Sequence, residues 1–198
     1  MAKSNPNVII LAGPNGAGKS TAAPSLLQDL LDVAEFVNAD VIAQGLAGFD
    51  PDSVAFEAGA IMHARLRRLA AARKDFAFET TLASRSLAPW LRELVKVKYC
   101  FHLMFLWLPS ADFAVARVAD RVRLGGHNVP EGTIRRRYER GLRNFFELYQ
   151  PQATTWRMYD NSYESGVRLI ASGEGVKIAR IGDEETWKRL NEEYGHEH

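Results

Sequence analysis

Hydrophobic positions in this chain fall in short continuous runs that alternate with longer amphipathic stretches, the pattern of strands and helices taken in turn. Val8-Ile9-Ile10-Leu11 is wholly apolar, as expected of a strand buried on both faces of a parallel sheet. A helix is predicted from about residue 18 to 32, with Pro24 early enough in it to be tolerated. Glu35-Phe36-Val37-Asn38 reads as a second short strand, closed by Ala39-Asp40. After the break at Phe49-Asp50-Pro51-Asp52-Ser53, the residues Val54, Ala58, Ile61, Met62, Leu66 and Leu69 recur at helical spacing. Residues 75–81 form a third predicted strand, followed by a helix around Trp90-Leu91-Arg92-Glu93-Leu94. Residues 99–108 are nearly all apolar and predict a fourth, central strand; Pro109 stops it and Ser110 caps a helix through about Leu124. Ile134, Tyr138, Leu142, Phe145 and Tyr149 make the core-facing stripe of the next helix. Residues 156–159 suit a fifth strand, residues 168–171 and 176–179 a terminal hairpin around Gly173-Glu174-Gly175, and Asp183 begins a last helix. The alternation predicts an α/β fold: a three-layer sandwich with a mostly parallel central sheet, helices on both faces and ligands at the carboxyl edge of the strands. One domain over residues 1–198, with right-handed crossovers, is the expectation.

Composition narrows this picture. The 198 residues are 46% hydrophobic and 25% charged with a net charge of +1, a balance that argues against a general nucleic-acid binder. Cys100 is the one cysteine and lies in an apolar run, so the expectation is a buried, inert thiol. The longest apolar run is interrupted by His102 and is far too short to span a bilayer. With residues 1–7 leading directly into the first strand, a cytoplasmic protein with no membrane partner is expected.

The chemistry begins where the first strand ends. Gly13-Pro14-Asn15-Gly16-Ala17-Gly18-Lys19-Ser20-Thr21 fits G-x-x-x-x-G-K-[ST], with a strand before it and a helix after it. Glycines let the backbone turn its N–H groups onto an anion, Lys19 reaches the β and γ phosphates, Ser20 ligates Mg²⁺, and the helix points its positive end at the charge. This stretch predicts binding of a nucleoside triphosphate, with ATP and Mg²⁺ as cofactors.

Two later strands end in acids. Asp40 stands where ligands bind, as a base or a partner of Mg²⁺, although an Asp there equally suits the N-cap of the following helix. Glu79 closes the third strand and is followed by Thr80 and Thr81, a set able to hold an acceptor hydroxyl or water on Mg²⁺. The fourth strand ends in no acid, which weakens the case for motor and transport ATPases and favours small kinases. Neither an L-S-G-G-Q-like signature nor an N-K-x-D base reader occurs. Between the helices, Gly125-Gly126 and Pro130 leave a segment flanked by arginines, which suits a lid over residues 121–137. Arg117 and Arg121 share a helix face, and Arg135, Arg136, Arg137, Arg140 and Arg143 crowd the far side; one arginine from each side is expected to act. Asp160-Asn161-Ser162 is a further polar strand end, able to line a base pocket. His63, the basic cluster from Arg65 to Lys74 and the tail histidines His196 and His198 read as structural or solvated.

Taken together, G-P-N-G-A-G-K-S-T, F-V-N-A-D, F-E-T-T-L, R-V-R-L-G-G-H-N-V-P with I-R-R-R-Y, and Y-D-N-S resemble the zeta-toxin-like P-loop kinases, in particular the compact branch often labelled predicted ABC-type ATPase. The resemblance covers about residues 7 to 162. It implies an ATP- and Mg²⁺-dependent kinase acting on the 3′-hydroxyl of the aminosugar of UDP-N-acetylglucosamine, held in check by an antitoxin protein. On that resemblance Lys19 and Ser20 serve the phosphates and Mg²⁺, Asp40 is the base, and Glu79 holds the sugar. Arg123 and Arg136 match the lid arginines best by spacing, with Arg121, also a nucleotide-binding residue, or a neighbour of Arg136 as the substitutes. The chain departs from the family in N-A before Asp40, where the toxins carry D-N, and in F-D-P where H-P is common. Another nucleotide, an antibiotic or an RNA end as acceptor, or a switch ATPase, are the alternatives.

Overall fold

The computed structural model describes residues 5–28 and 35–195. The expected last turn of the first helix, 29–32, and the histidines His196 and His198 lie outside the described residues.

Strands β1 (Asn7–Ala12), β2 (Phe36–Val37), β3 (Phe76–Thr80), β4 (Cys100–Trp107) and β5 (Thr155–Asp160) pair in parallel, and β6 (Arg168–Glu174) and β7 (Lys177–Ile181) add an antiparallel hairpin. The seven-stranded order is β2-β3-β1-β4-β5-β6-β7. Around the sheet pack α1 (Lys19–Gln28), α2 (Ala39–Leu46), α3 (Ala55–Ala71), α4 (Leu87–Lys96), α5 (Ala111–Arg123), α6 (Glu131–Asn144) and α7 (Glu184–Tyr194). The α/β architecture expected from the alternating pattern is the one found.

Central strands are apolar because both faces are covered. Val8 through Ala12 are wholly buried, as are Phe76, Phe78, Phe101 and Phe105 on the flanking strands. Each such side chain stabilises the fold by roughly 1.5–3 kcal/mol relative to exposure. The expected face of α3 is buried at Ala58, Met62, Leu66 and Leu69, whereas Ile61 lies on the exposed side. The stripe of α6 is buried throughout, and a π-helical turn, Phe145–Tyr149, keeps Phe145, Phe146 and Tyr149 all inward. Phe145, Phe146, Trp156 and Trp187 then pack ring on ring, with centroids 5.1–5.9 Å apart, fastening α7 and β5 to the end of α6. Cys100 is half-buried, a correction to the buried thiol expected from its apolar run; it opens β4 at the amino edge of the sheet, where the core thins. No helix among the described residues is long and apolar enough to cross a membrane.

The amino edge carries one polar chain that runs from Asp75, just before β3, across β1 and β4 to β5. The Asn7 amide donates to Asp75 at 3.0 Å, which leaves its oxygen to accept from His102 Nε2 at 3.1 Å. His102 Nδ1, the remaining acceptor, takes the Thr155 hydroxyl at 2.8 Å. Burial, with Arg157 adding to it, holds the His102 pKa below its ordinary 6.5. The unfolded chain then takes up this proton before the folded one does. Stability is insensitive to His102 above about pH 6.5 and falls as pH drops from there towards the lower folded-state pKa. The expected result is that the wild-type melting temperature falls more steeply between pH 6.5 and 5 than that of His102→Gln. Parallel slopes would remove His102 from the account.

Candidate active site

The register of four strands assembles the site. Within β1 and β3, Leu11 pairs with Glu79 and Ala12 with Thr80, so Glu79 stands beside the start of the glycine-rich turn. Val37 of β2 pairs with Phe78, which delivers Asn38 next to Glu79. On the other side Ala12 pairs with Phe105 of β4, and the Leu106 carbonyl lies so close to Gly13 that a Cβ there would collide with it. Gly13 also has φ +139°, open only to glycine. The loop thus wraps its backbone tightly around the N-terminus of α1.

Lys19 is the buried cation of this turn, only 7% exposed. Its Nζ donates to the carbonyls of Gly13 and Pro14, each at 2.9 Å, and lies 3.7 Å from Glu79. Burial lowers its pKa; Glu79 and Asp40 oppose that, and Arg121 adds to it. Glu79 is the hub: one oxygen accepts from the Ser20 hydroxyl at 2.8 Å and from the Asn38 amide at 2.9 Å. Asn38 turns its own oxygen to the N–H groups of Asp40 and Val41, at 2.8 and 3.3 Å, and so caps α2. The capping role open to Asp40 therefore belongs to Asn38. The Asp40 carboxylate, in the first turn of α2, has no hydrogen bond or ion pair among the described residues.

An open cleft of about 230 Å³ joins these groups, with Asn15, Lys19, Asp40, Glu79, Thr81 and Arg137 along it. Thr80 and Thr81 line it too, although their hydroxyls accept from Leu82 and Ala83 N–H groups at 3.2 and 3.5 Å and hold the turn after β3. Thr21 is exposed on α1. His63, expected to be structural, is exposed on the rim.

Of the arginines, Arg137 lines the cleft, and Arg121 lies near enough for its charge to act on Lys19. Arg137 donates to Asn15 Oδ1 of the loop at 3.3 Å, and burial, partly offset by Asp40, lowers its pKa. Arg121 donates to the His127 carbonyl at 2.7 Å, fixing residues 124–130 from within, while His127 reaches Asp52 at 2.9 Å. Arg123 is 78% exposed and paired with Asp120 at 2.8 Å, and Arg136 is exposed with no partner among the described residues. Spacing selected these two, whereas helical phase selects their neighbours. Arg137 lies roughly 60° from buried Ile134 around α6, and Arg136 roughly 160° from it. Arg117 binds the carbonyls of Asn161 and Ser162, each at 3.1 Å, and Asn161 donates to the Ala17 carbonyl at 2.8 Å. The polar end of β5 thus braces the glycine-rich turn.

The groups gathered here are a backbone anion cradle, a buried ammonium, two guanidiniums, a hydroxyl–carboxylate pair and a free carboxylate. The model of the AAA domain family matches residues 8–145. An uncharacterized protein of Haemophilus influenzae is 26% identical over 134 residues, 66% of this chain and 91% of that one. Among solved structures, AvrRxo1-ORF1:-ORF2 with ATP is similar at a TM-score of 0.69 and 16% identity, over 94% of this chain and 64% of that chain. This chain therefore spans less than two thirds of that protein's length. A structure of the PezAT chromosomal toxin-antitoxin system of Streptococcus pneumoniae is similar at 0.67 and 14% identity, over 98% of this chain and 87% of that one. These two likenesses are of fold.

Proposed function

The chain belongs to the AAA domain family, and from that premise we propose that it is an ATP-dependent phosphotransferase that moves the γ-phosphoryl group of ATP to an alcohol. The observation that carries this reading is the unpartnered Asp40 carboxylate, which shares one cleft with Lys19, Glu79 and Arg137. An ATPase can use a carboxylate there to activate water, so transfer of label to an alcohol rather than to water is what separates the two readings.

In the proposed reaction the loop N–H groups and Lys19 hold the triphosphate. Asp40 accepts the acceptor's hydroxyl proton as its oxygen bonds to the γ phosphorus; the bond from that phosphorus to the β–γ bridging oxygen breaks, and ADP leaves. Lys19, Arg121 and Arg137 meet the charge spread over the moving group. The Ser20 hydroxyl and Glu79 carboxylate, 2.8 Å apart, are hard oxygen donors suited to Mg²⁺. When bound, that ion neutralises phosphate charge. Glu79 and Thr81 also border the space for the acceptor. UDP-N-acetylglucosamine is the acceptor this reading carries, from the resemblance of the motifs to zeta-toxin-like kinases. An inhibitory antitoxin is the corresponding protein partner, supported by the likeness to PezAT.

The test is transfer of label from γ-labelled ATP with Mg²⁺ to UDP-N-acetylglucosamine. Label in the sugar nucleotide supports reaction and acceptor together. Transfer to a different alcohol would replace the acceptor only, and ATP binding with no transfer to any alcohol would end the kinase reading. In the same assay Arg121→Ala and Arg137→Ala are each expected to lower kcat/KM by about 10²–10³-fold, the scale of one lost transition-state donor. Arg123→Ala and Arg136→Ala are expected to stay near wild type; the reverse order would restore the assignment made by spacing.

A further inference from the structure

His127 is held at both ends, by its carbonyl and by its ring. The carbonyl accepts from Arg121 Nη2 at 2.7 Å, and Nε2 of the ring meets Asp52 at 2.9 Å. Asp52 lies in the 3₁₀ turn Pro51–Val54, between α2 and α3. The pair therefore ties the segment between α5 and α6 to the elements around Asp40. A small cavity of about 50 Å³ adjoins the contact, with Asp40, Gln44, Asp52 and His127 in its lining. The imidazole is mostly buried, whereas Asp52 stays largely exposed.

The segment is wound to make this reach. The Gly126 N–H donates to the Arg121 carbonyl at 2.9 Å, and a Cβ on Gly126 would lie 2.5 Å from Arg121 Cγ. Glycine is thus what lets the chain fold back over the arginine. Val129, two residues past His127, is buried and anchors the far end. Arg121 Nε is buried under the segment with no hydrogen-bond partner. A donor left in that state costs free energy, so other contacts must keep the side chain where it is. Its charge meanwhile acts on Lys19.

We infer that His127 and Asp52 are positioning residues for phosphate transfer. Their contact locks the segment and fixes Arg121, on the nucleotide side, relative to Asp40, on the acceptor side. The main chain of His127 sets the arginine and its ring sets the wall beside Asp40, so one residue carries both constraints. Neither side chain touches the reacting atoms. An Nε2–H donates whether the ring is neutral or charged, so the lock does not depend on an imidazolium. The ring also walls the cavity beside Asp40, and its removal admits more water to that carboxylate. The inference rests on the phosphotransferase reading above.

A double-mutant cycle of His127→Ala and Asp52→Ala is the test. His127→Ala keeps the carbonyl that holds Arg121 and removes only the ring. The first readout needs no acceptor: the rate of tryptic cleavage after Arg123, at the start of the segment. Both single variants and the double variant are expected to be cut about two- to fivefold faster than wild type, all three alike, because the side chains act through each other. The second readout is the partition of label from γ-labelled ATP between alcohol and water. All three variants are expected to shift it towards water and to lower kcat for the alcohol, with KM for ATP unchanged. A merely structural role would lower the melting temperature and leave the partition alone. Wild-type affinity for an ATP analogue shows that the variants are folded. Additive effects around the cycle overturn the proposal, as do cleavage rates equal to wild type. Faster cleavage with an unchanged partition overturns it too, because the pair would then hold the segment without placing the reacting groups. A wild type that labels no alcohol strikes the phosphotransferase reading and this role with it, while the cleavage cycle still shows whether the pair closes the segment.

Discussion

Lys19→Met is expected to lower phosphate transfer by about 10³-fold or more while leaving the protein folded, the scale seen when a preorganised charge is taken from a dry site. Lys19 is buried, donates to two loop carbonyls and stands 3.7 Å from Glu79, so no water or flexible side chain can readily take its place. Methionine matches the length of the stem without the charge. The Glu79 carboxylate keeps its bonds from Ser20 and Asn38, and the carbonyls of Gly13 and Pro14 turn to water. Burial lowers the ammonium's pKa, but the substitution also strips the nearly buried Glu79 carboxylate of its cation, so the melting temperature is expected to fall modestly while the protein stays folded. Labelled-ATP transfer, titration with an ATP analogue and thermal melting measure the three quantities. Full transfer activity in this variant would remove the phosphate loop from the chemistry. A collapsed melting temperature would instead mark Lys19 as a structural residue.

The phosphate loop was the most legible part of this chain because everything that shapes it is local. Three glycines, a lysine and a hydroxyl fall within nine residues, and the flanking strand and helix announce themselves by pattern. Glu79 near the end of β3 was legible for the same reason, whereas Asp40, expected to close the second strand, falls in the first turn of α2 because β2 ends at Val37 and Asn38 caps the helix. What sequence does not carry is which strands lie side by side. Glu79 becomes the partner of Ser20 because β3 sits next to β1, and Asn38 joins it because β2 sits next to β3. Asn38 and Asp40 are both good helix caps, two residues apart, and the point at which the chain leaves β2 decides between them. The lid arginines were ambiguous in a similar way. Spacing from the glycine pair pointed to Arg123 and Arg136, whereas packing of Ile134, Tyr138 and Gly141 rotates Arg137 towards Asn15. Periodicity on α6 held that information. The fastening of residues 81–84 did not show in the sequence at all. Gly141, packed against the Thr81 carbonyl, and Asn144 and Tyr149, donors to the Leu82 and Ser84 carbonyls, gain their meaning only from a segment some sixty residues away.

That α2 is capped by Asn38 makes Asp40→Asn an unusually clean experiment. Had Asp40 been the cap, its replacement would have mixed lost chemistry with a loosened helix. As the structure stands, the side chain makes no hydrogen bond or ion pair among the described residues, its charge reaching Lys19 and Arg137 only from a distance, and asparagine keeps its size and its place in the first turn of α2. One favourable carboxylate at the helix N-terminus is lost, at a cost of about 0.3–1 kcal/mol. Phosphate transfer is expected to fall about 10²- to 10⁴-fold, the range for removal of a general base, and the fall should appear in kcat. The KM for ATP should stay near wild type, since Lys19 and the loop amides are untouched. Glu79→Gln provides the contrast. It disturbs the bonds from Ser20 and Asn38 and the ion pair with Lys19 together, so KM for ATP and kcat should both suffer. An Asp40→Asn protein that turns over at the wild-type rate would show that the proton leaves by another route. A fall in ATP affinity as large as the fall in kcat would place Asp40 with the nucleotide rather than with the acceptor.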